Sequence, residues 1–379
     1  MAVSADLTRV AVVRETTPGV TPATPAFIVA RITSESLAFN PTTTLSNELN
    51  PARQVADVIV SGGSSGGDTG FEMSRNDWFE EMLSAALGNE WDATAPGRLE
   101  VGGILKTYTI EKDFTLQVEP TELHEYQRMV RAIVDTMTLT FSPTAANVGT
   151  VAFLGGTYSR DSVPVTDSTY SAPGTRPVMT GSEAMPVVMS IGGTDYLAWC
   201  MSQVVVTMKN NGRAIDCLGT LGAAEMVLGR FECEVTMQIY AALDTGVVMD
   251  AFLNATEIQF GIEATDSIGN SYWFEFDRCR IQTCTEVAGG TNQDVILAVA
   301  LQALVGPTAT PPLPSVDSAV WILRAPVPPN DTAGGLGTLA AGEAAGFERS
   351  SLWSRMQELK QEQTDAPAQP FEPASEVTA

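Results

Sequence analysis

Arg230-Phe-Glu-Cys-Glu-Val-Thr-Met-Gln-Ile-Tyr240 sets the class of this fold. Phe231, Cys233, Val235, Met237 and Ile239 take the odd positions; Glu232, Glu234, Thr236 and Gln238 take the even ones. Side chains of a strand point to alternate faces, so this order predicts an antiparallel strand with one face on a core and the other in water. Moving outward, residues 257–263 repeat the pattern, with Ile258, Phe260 and Ile262 set against Glu257, Gln259 and Glu263. Residues 135–141 set Met137, Leu139 and Phe141 against threonines. Further strands are expected over 9–14, 27–39, 55–60, 70–73, 104–118, 196–209, 271–276 and 294–304.

Two helices interrupt this mainly β chain. Over 77–87, Phe79, Met82, Leu83 and Ala86 recur at helical spacing, Asp77, Glu80 and Glu81 favour the positive N-terminal end, and Gly88 supplies the stop. Over 245–254, Val247, Val248, Ala251 and Phe252 form a stripe suited to covering a sheet. An internal echo links the halves: the segments beginning at Ile32, Ile133 and Cys200 read alike, and Gly70-Phe-Glu parallels Arg230-Phe-Glu. Residues 40–67 read as a long inter-strand loop, and Ser61-Gly-Gly-Ser-Ser-Gly-Gly-Asp68 as a flexible connection without the ending of a phosphate loop.

The expected domain layout is a β-rich core over 1–305, with halves 1–150 and 151–305, followed by an extension over 306–379. Pro307, Pro311, Pro312 and Pro314 mark a linker there, 347–361 carries Leu352, Met356 and Leu359 on one helical side, and 365–379 has a disordered composition. The extension is expected to be accessory, so that the core folds without it.

The chain has 379 residues and 44% hydrophobic composition, enough for a sizeable core. With 45 acidic against 21 basic residues its net charge is -24, which disfavours attraction to phosphate backbones. Cys200, Cys217, Cys233, Cys279 and Cys284 stand in apolar segments without a Cys-x-x-Cys pair, so buried free thiols in a reducing compartment are expected. Residues 1–13 lack a charged region followed by an apolar one, and no apolar run approaches the roughly 18 residues of a span, so neither export by that route nor membrane insertion is expected.

Chemistry is sparse. His124, the single histidine, reads as a solvated turn residue rather than a catalytic base. Glu232 and Glu234 share a strand face as a carboxylate pair, which in so acidic a chain reads as a solvated surface. Trp78, Trp91, Trp199 and Trp273 read as core or interface residues, because basic residues do not interleave them. No catalytic residue, metal or cofactor is expected. These observations leave a scaffold, a β-rich adhesin or carbohydrate-binding module, and a carboxylate hydrolase open.

One order of features narrows the choice. Arg14-Glu-Thr-Thr-Pro-Gly-Val-Thr-Pro22 is followed by Ile32-Thr-Ser-Glu-Ser-Leu-Ala-Phe39, Leu45-Ser-Asn-Glu-Leu49, Arg53 and Asp57, then Gly70-Phe-Glu-Met-Ser74 and the helix with Trp78 and Phe79. Gly229-Arg-Phe-Glu232, Tyr240, Asp266-Ser-Ile-Gly-Asn-Ser-Tyr272 and Gly289-Gly-Thr-Asn-Gln-Asp-Val295 continue it. Over residues 9–304 the chain resembles the tail tube proteins of long-tailed bacteriophages. The resemblance implies an antiparallel β-barrel or β-sandwich core with short flanking helices. It also implies a virion tail protein, assembled in the host cytoplasm into stacked hexameric rings that DNA traverses without specific binding. A tape-measure protein and a tail terminator are the further partners it implies. Within that expectation Leu45, Glu48, Leu49, Arg53 and Asp57 are candidates for contact between subunits. Glu232, Glu234, Gln238, Glu257, Gln259 and Glu263 are candidates for the lumen wall.

Overall fold

Alternation becomes strand along most of the chain. A computed structural model describes residues 4–49, 51–92, 97–118, 121–181, 187–196, 199–242, 244–306 and 318–325. Its first half holds β1 (Thr8–Arg14), β2 (Ala26–Val29), β3 (Ser34–Glu35), β4 (Ala38–Leu45), β5 (Val58–Glu72), α1 (Asp77–Leu87), β6 (Arg98–Glu100), β7 (Tyr108–Val118), β8 (Thr121–Phe141) and β9 (Val148–Gly155). β10 (Tyr158–Asp161) and β11 (Thr169–Tyr170) follow. The second half holds β12 (Val187–Ile191), β13 (Thr194–Tyr196), β14 (Met201–Lys209), β15 (Arg213–Ile215), β16 (Glu225–Val227) and β17 (Glu232–Tyr240). It continues with α2 (Gly246–Leu253), β18 (Ile258–Thr265), β19 (Ser271–Ala288), β20 (Val295–Ala303) and β21 (Trp321–Ala325).

The expected mainly β, antiparallel class with two short helices is the one found. The long strands β8 and β19 each pass from one sheet into another. The near half of β8 pairs with β7, which pairs with β1. Its far half lies between β9 and β14. A sheet of eight antiparallel strands results, in the order β4, β5, β9, β8, β14, β17, β20, β19. The near half of β19 instead lies between β18 and β21 in a separate layer that also holds β12, β13 and β6. Cys233, Val235, Met237 and Ile239 of β17 point into the core enclosed by these layers, where α1 buries Trp78, Phe79, Met82 and Leu83. Asn76 starts α1 by accepting the Phe79 amide at 2.9 Å, and Gly88 ends it in the left-handed region.

The two halves are one topology used twice. In the first, the β4–β5 pair leads through α1 to the β7–β8 hairpin and then β9, which inserts between β5 and β8. In the second, the β14–β17 pair leads through α2 to the β18–β19 hairpin and then β20, which inserts between β17 and β19. Even the irregularities agree. Asp135 bulges from β8 against β9, and Gln282 bulges from β19 against β20. Val130 and Arg131 bulge against β7 where β8 changes sheet, as Asp277 and Arg278 bulge against β18 in β19. Bulges bend strands and re-aim them, which is their work at both crossings.

The echo between Ile32 and Cys200 therefore marks corresponding leading strands to within one residue. The other two echoes do not survive. The Ile133 segment lies in β8, a different member of the unit, and Gly70-Phe-Glu ends β5 whereas Arg230-Phe-Glu opens β17. The single strand expected over 27–39 is broken into β2, β3 and β4, and that over 104–118 starts only at Tyr108.

Residues 40–67 are loop only between the end of β4 at Leu45 and the start of β5 at Val58, and the rest is strand. Thr42, Thr43 and Thr44 of β4 face Gly62, Val60 and Ile59 of β5, and the turn is confined to the tip of this hairpin. The glycine run is strand by its pairing with β4 and β9, and at Gly63, Gly66 and Gly67 the neighbours come too close for side chains. A Cβ on Gly63 would lie 2.3 Å from the Phe39 ring, and one on Gly67, whose φ is +137°, would lie 2.4 Å from the Ser36 carbonyl oxygen. Gly67→Ala is expected to cost about 1–3 kcal/mol, read by denaturant unfolding; an unchanged midpoint would contradict this close approach.

The core does not stop at residue 305. β21 runs along β19 as the end-to-end continuation of β20, with Ile322 opposite Phe274 and Leu99 of β6 on its other side. Val320, Trp321, Ile322 and Leu323 are all buried. The linker at 307–314, the helix expected over 347–361 and the tail over 365–379 lie outside the described residues.

Candidate assembly interface

The eight-stranded sheet has one face in the core and one in water. Across the water face, Thr138 of β8, Thr207 of β14, Glu234 of β17 and Gln302 of β20 stand side by side in one row. Glu232 and Gln238 share that face of β17, as strand alternation demands. Arg230 bonds to Glu232 and holds its carboxyl below the usual range. The first of the two expected rows is thus a continuous polar surface.

The second row is not brought to it. Glu257, Gln259 and Glu263 belong to β18 or its approach, in the other layer. Glu257 is bound by Arg278 at 2.7 Å, which with Arg280 keeps its carboxyl low. Glu263 is only 4% exposed. The pattern 257–263 revealed the strand correctly, but not that other strands cover its polar face: Trp273, Trp321 and Leu323 cluster with Val188 there.

Among the described residues, both ends of the sheet are open. At one end the β4–β5 hairpin runs past the last residues that β9 covers and leaves Leu45, Val58, Ile59 and Val60 exposed. Of the expected contact residues, Leu49 is 99% exposed at its tip, Glu48 and Arg53 are exposed beside it, and Asp57 accepts the Val58 amide at 2.7 Å. At the other end, residues 280–288 of β19 pair with β20 alone among the described residues. An unpaired edge offers backbone donors and acceptors to another strand. Periodicity shows strands but not their neighbours, so this second edge was not found from sequence.

The most chemistry-like cluster is elsewhere. His124 is not in a turn but on β8, opposite Thr115. Its Nδ1 lies 3.1 Å from Asp113 Oδ1 and 3.3 Å from Thr115 Oγ1, and its ring stacks on Tyr126. A nucleophile–base–acid relay uses both ring nitrogens, whereas here hydroxyl and carboxylate meet at the same one. Beside it, Glu111 accepts Arg128 Nε at 2.8 Å and the Tyr170 hydroxyl at 2.6 Å; burial and that bond push Tyr170 up to about 12. The cluster clasps β7, β8 and β11 together. Burial also raises the thiols of Cys233 and Cys279, while Cys200 and Cys217, expected inside, are exposed because they stand in connections outside the strands. Trp78 and Trp273 are core residues, and Trp91 and Trp199 pack against the core.

A family model for the phage tail tube protein matches residues 5–303. The chain belongs to this family. No curated protein matches it. As a tail tube protein it is a structural subunit that assembles with its own kind into a tube and resides in the virion tail. An open sheet edge can be continued by a strand of another chain without new chemistry. β21 lies beyond the matched residues yet completes the core of this tail tube protein. Among the described residues no helix is long and apolar enough to cross a membrane.

Proposed function

We propose that the subunits close side by side into rings of sixfold character, that the rings stack, and that the resulting tube conducts genomic DNA into the host. The observation that carries this reading is the eight-stranded sheet, polar on one face and open at both edges. Joined edge to edge, such sheets enclose a lumen, and stacking of rings requires unlike top and bottom surfaces. The wall is then the row containing Glu232, Glu234 and Gln238, whose carboxylates repel phosphates, so that DNA slides without adhering. A tape-measure protein occupying the lumen during assembly in the host cytoplasm, and a terminator closing the tube, complete the proposal. Electron microscopy and native mass spectrometry of concentrated protein are expected to show closed rings and stacks. Persistent monomers, even with a tail-assembly partner, would overturn the reading.

The β4–β5 hairpin is proposed to lie on a neighbouring subunit through Leu45, Glu48, Leu49, Arg53 and Asp57. Beyond the cover of β9 it is a two-stranded ribbon, which is marginal in water by itself. Amides over 42–60 are expected to exchange rapidly in the single subunit and to slow by an order of magnitude or more on assembly. Equal protection in both states would remove the hairpin from the contact.

A further inference from the structure

Within the eight-stranded sheet, the two β units of the chain are joined by one strand pair, the far half of β8 with β14. The far half of β8 has a counterpart in the second unit, residues 280–288 of β19, and this edge is open. The counterpart of β14 in the first unit is the 35–40 segment of β3 and β4, and no strand pairs with its outer side among the described residues. We infer that the open edge of β19 receives the 35–40 segment of a second copy, in the register that β8 uses for β14. Three copies joined in this way close the ring, so that its six units come from three chains.

The matched bulges fix the register. Crossing the first unit strand by strand, Ile133 pairs with Leu154, Leu154 with Gly66, and Gly66 with Ala38. In the second unit Arg280 pairs with Gln302, Gln302 with Glu234, and Glu234 with Thr207. Ile133 and Arg280 stand equally far before the bulges at Asp135 and Gln282, so Ala38 corresponds to Thr207. By the same count Thr285 corresponds to Thr138. Because Thr138 faces Thr207 inside the chain, Thr285 of one copy faces Ala38 of the next. Glu286 then lies opposite Leu37. In the single chain the Leu37 carbonyl oxygen accepts Lys112 Nζ at 2.7 Å, a contact that occupies this edge until a strand replaces it and places a carboxylate beside the ammonium.

The helices support the pairing independently. α1 packs on both β8 and β14, across the junction, and buries eight of its residues. Its counterpart α2 packs on β19, buries only Val248 and Ala251, and leaves Leu253 72% exposed. A strand added to β19 comes to lie under α2 as β14 lies under α1. The side chains agree as well: Met137, Leu139 and Phe141 of β8 are buried, whereas Cys284 is half-buried and Glu286 and Ala288 are exposed at the corresponding positions.

Only the number of copies rests on the proposed passage of DNA. Each copy adds eight strands at about 4.8 Å spacing, so three give a wall of about 37 Å diameter before tilt. Side chains lining it at about 5 Å per wall leave about 27 Å, enough for a duplex, where two copies leave about 14 Å and six leave about 63 Å.

The test is a cysteine pair, Ala38→Cys with Thr285→Cys, in a chain whose exposed Cys200 and Cys217 are changed to serine. Opposed strand residues come within disulfide reach, whereas a diagonal pair such as Ala38→Cys with Val287→Cys does not. Thr138→Cys with Thr207→Cys, which closes within one chain, confirms that the fold tolerates the pair. Oxidised rings are expected to give covalent trimers as the largest species on denaturing gels, at least tenfold more than the diagonal pair gives, and a native mass of three chains. Rings without the bond, or with equal bonding by the diagonal pair, would overturn the junction. Closure at any other number would overturn the trimer. Absence of rings altogether would instead bring down the tail-tube assembly itself, and this inference with it.

Discussion

A chain that ends at Gly306 is expected not to reach the native fold, whereas one that ends at Ala325 is expected to keep it. The difference is β21 and the residues leading into it. Val320, Trp321, Ile322 and Leu323 are buried, and each such side chain is worth about 1.5–3 kcal/mol of burial, about 6–12 kcal/mol for the four. A whole domain is stable by only about 5–15 kcal/mol. The loss spreads further: β6 loses its pairing with β21, Asp277 loses the Trp321 indole donor at 3.0 Å, and Glu80 of α1 loses Arg324. Thermal unfolding followed by near-ultraviolet circular dichroism is the measurement. The shorter chain should show no cooperative transition, and Ile322→Ala in the full chain should cost about 2–5 kcal/mol. Equal transitions for both truncations would show that β21 is dispensable, as the proline-rich composition after residue 306 first suggested.

That suggestion failed for a physical reason that also limits the rest of the reading. Alternation reports how one strand divides its side chains between two environments, so β17, β14 and β20 were legible, as was α1 from its apolar spacing and Gly88. It does not report which strand lies alongside. β21 is short and apolar on both faces, and it is tied to β19 and β6 by partners distant in sequence. The glycine run looked like a connection because glycine is read as freedom, whereas at Gly63 and Gly67 it provides clearance for Phe39 and Ser36. The crossing of β8 and β19 between layers depends on bulges that leave no mark in composition, and the repeated unit stands clear only once pairing is known. Of the polar candidates, those on β17 could be placed correctly by alternation alone. Those on 257–263 could not, because the cover over their second face comes from Trp273 of β19 and from Trp321 and Leu323 of β21.

Reversing the charge of the β17 row should convert a tube that DNA passes into one that holds it. In the variant Glu232→Lys, Glu234→Lys and Gln238→Lys, each glutamate exchange shifts the charge by two and the glutamine exchange by one, five per chain. Repeated around every ring, this places a lysine band where carboxylates stood. Phosphate contacts release counterions, so affinity gained from 6–10 of them falls by about 10³–10⁵ between 50 and 200 mM salt. Assembled variant tubes are therefore expected to retain duplex DNA at low salt and release it at high salt, and phage carrying them to eject slowly or not at all. Stability should move little, because Glu232 and Glu234 are half-buried, Gln238 is exposed, and substitutions on such a surface usually stay within about 0.5 kcal/mol. Glu257→Lys, in the other layer, serves as the comparison: it breaks the contacts with Arg278 and Arg280 but adds no charge to the sheet face. If the β17 variant retains no more DNA than wild type, or if Glu257→Lys retains as much, the face carrying Glu232, Glu234 and Gln238 does not line the lumen. The repulsion argument would then have to move to another surface.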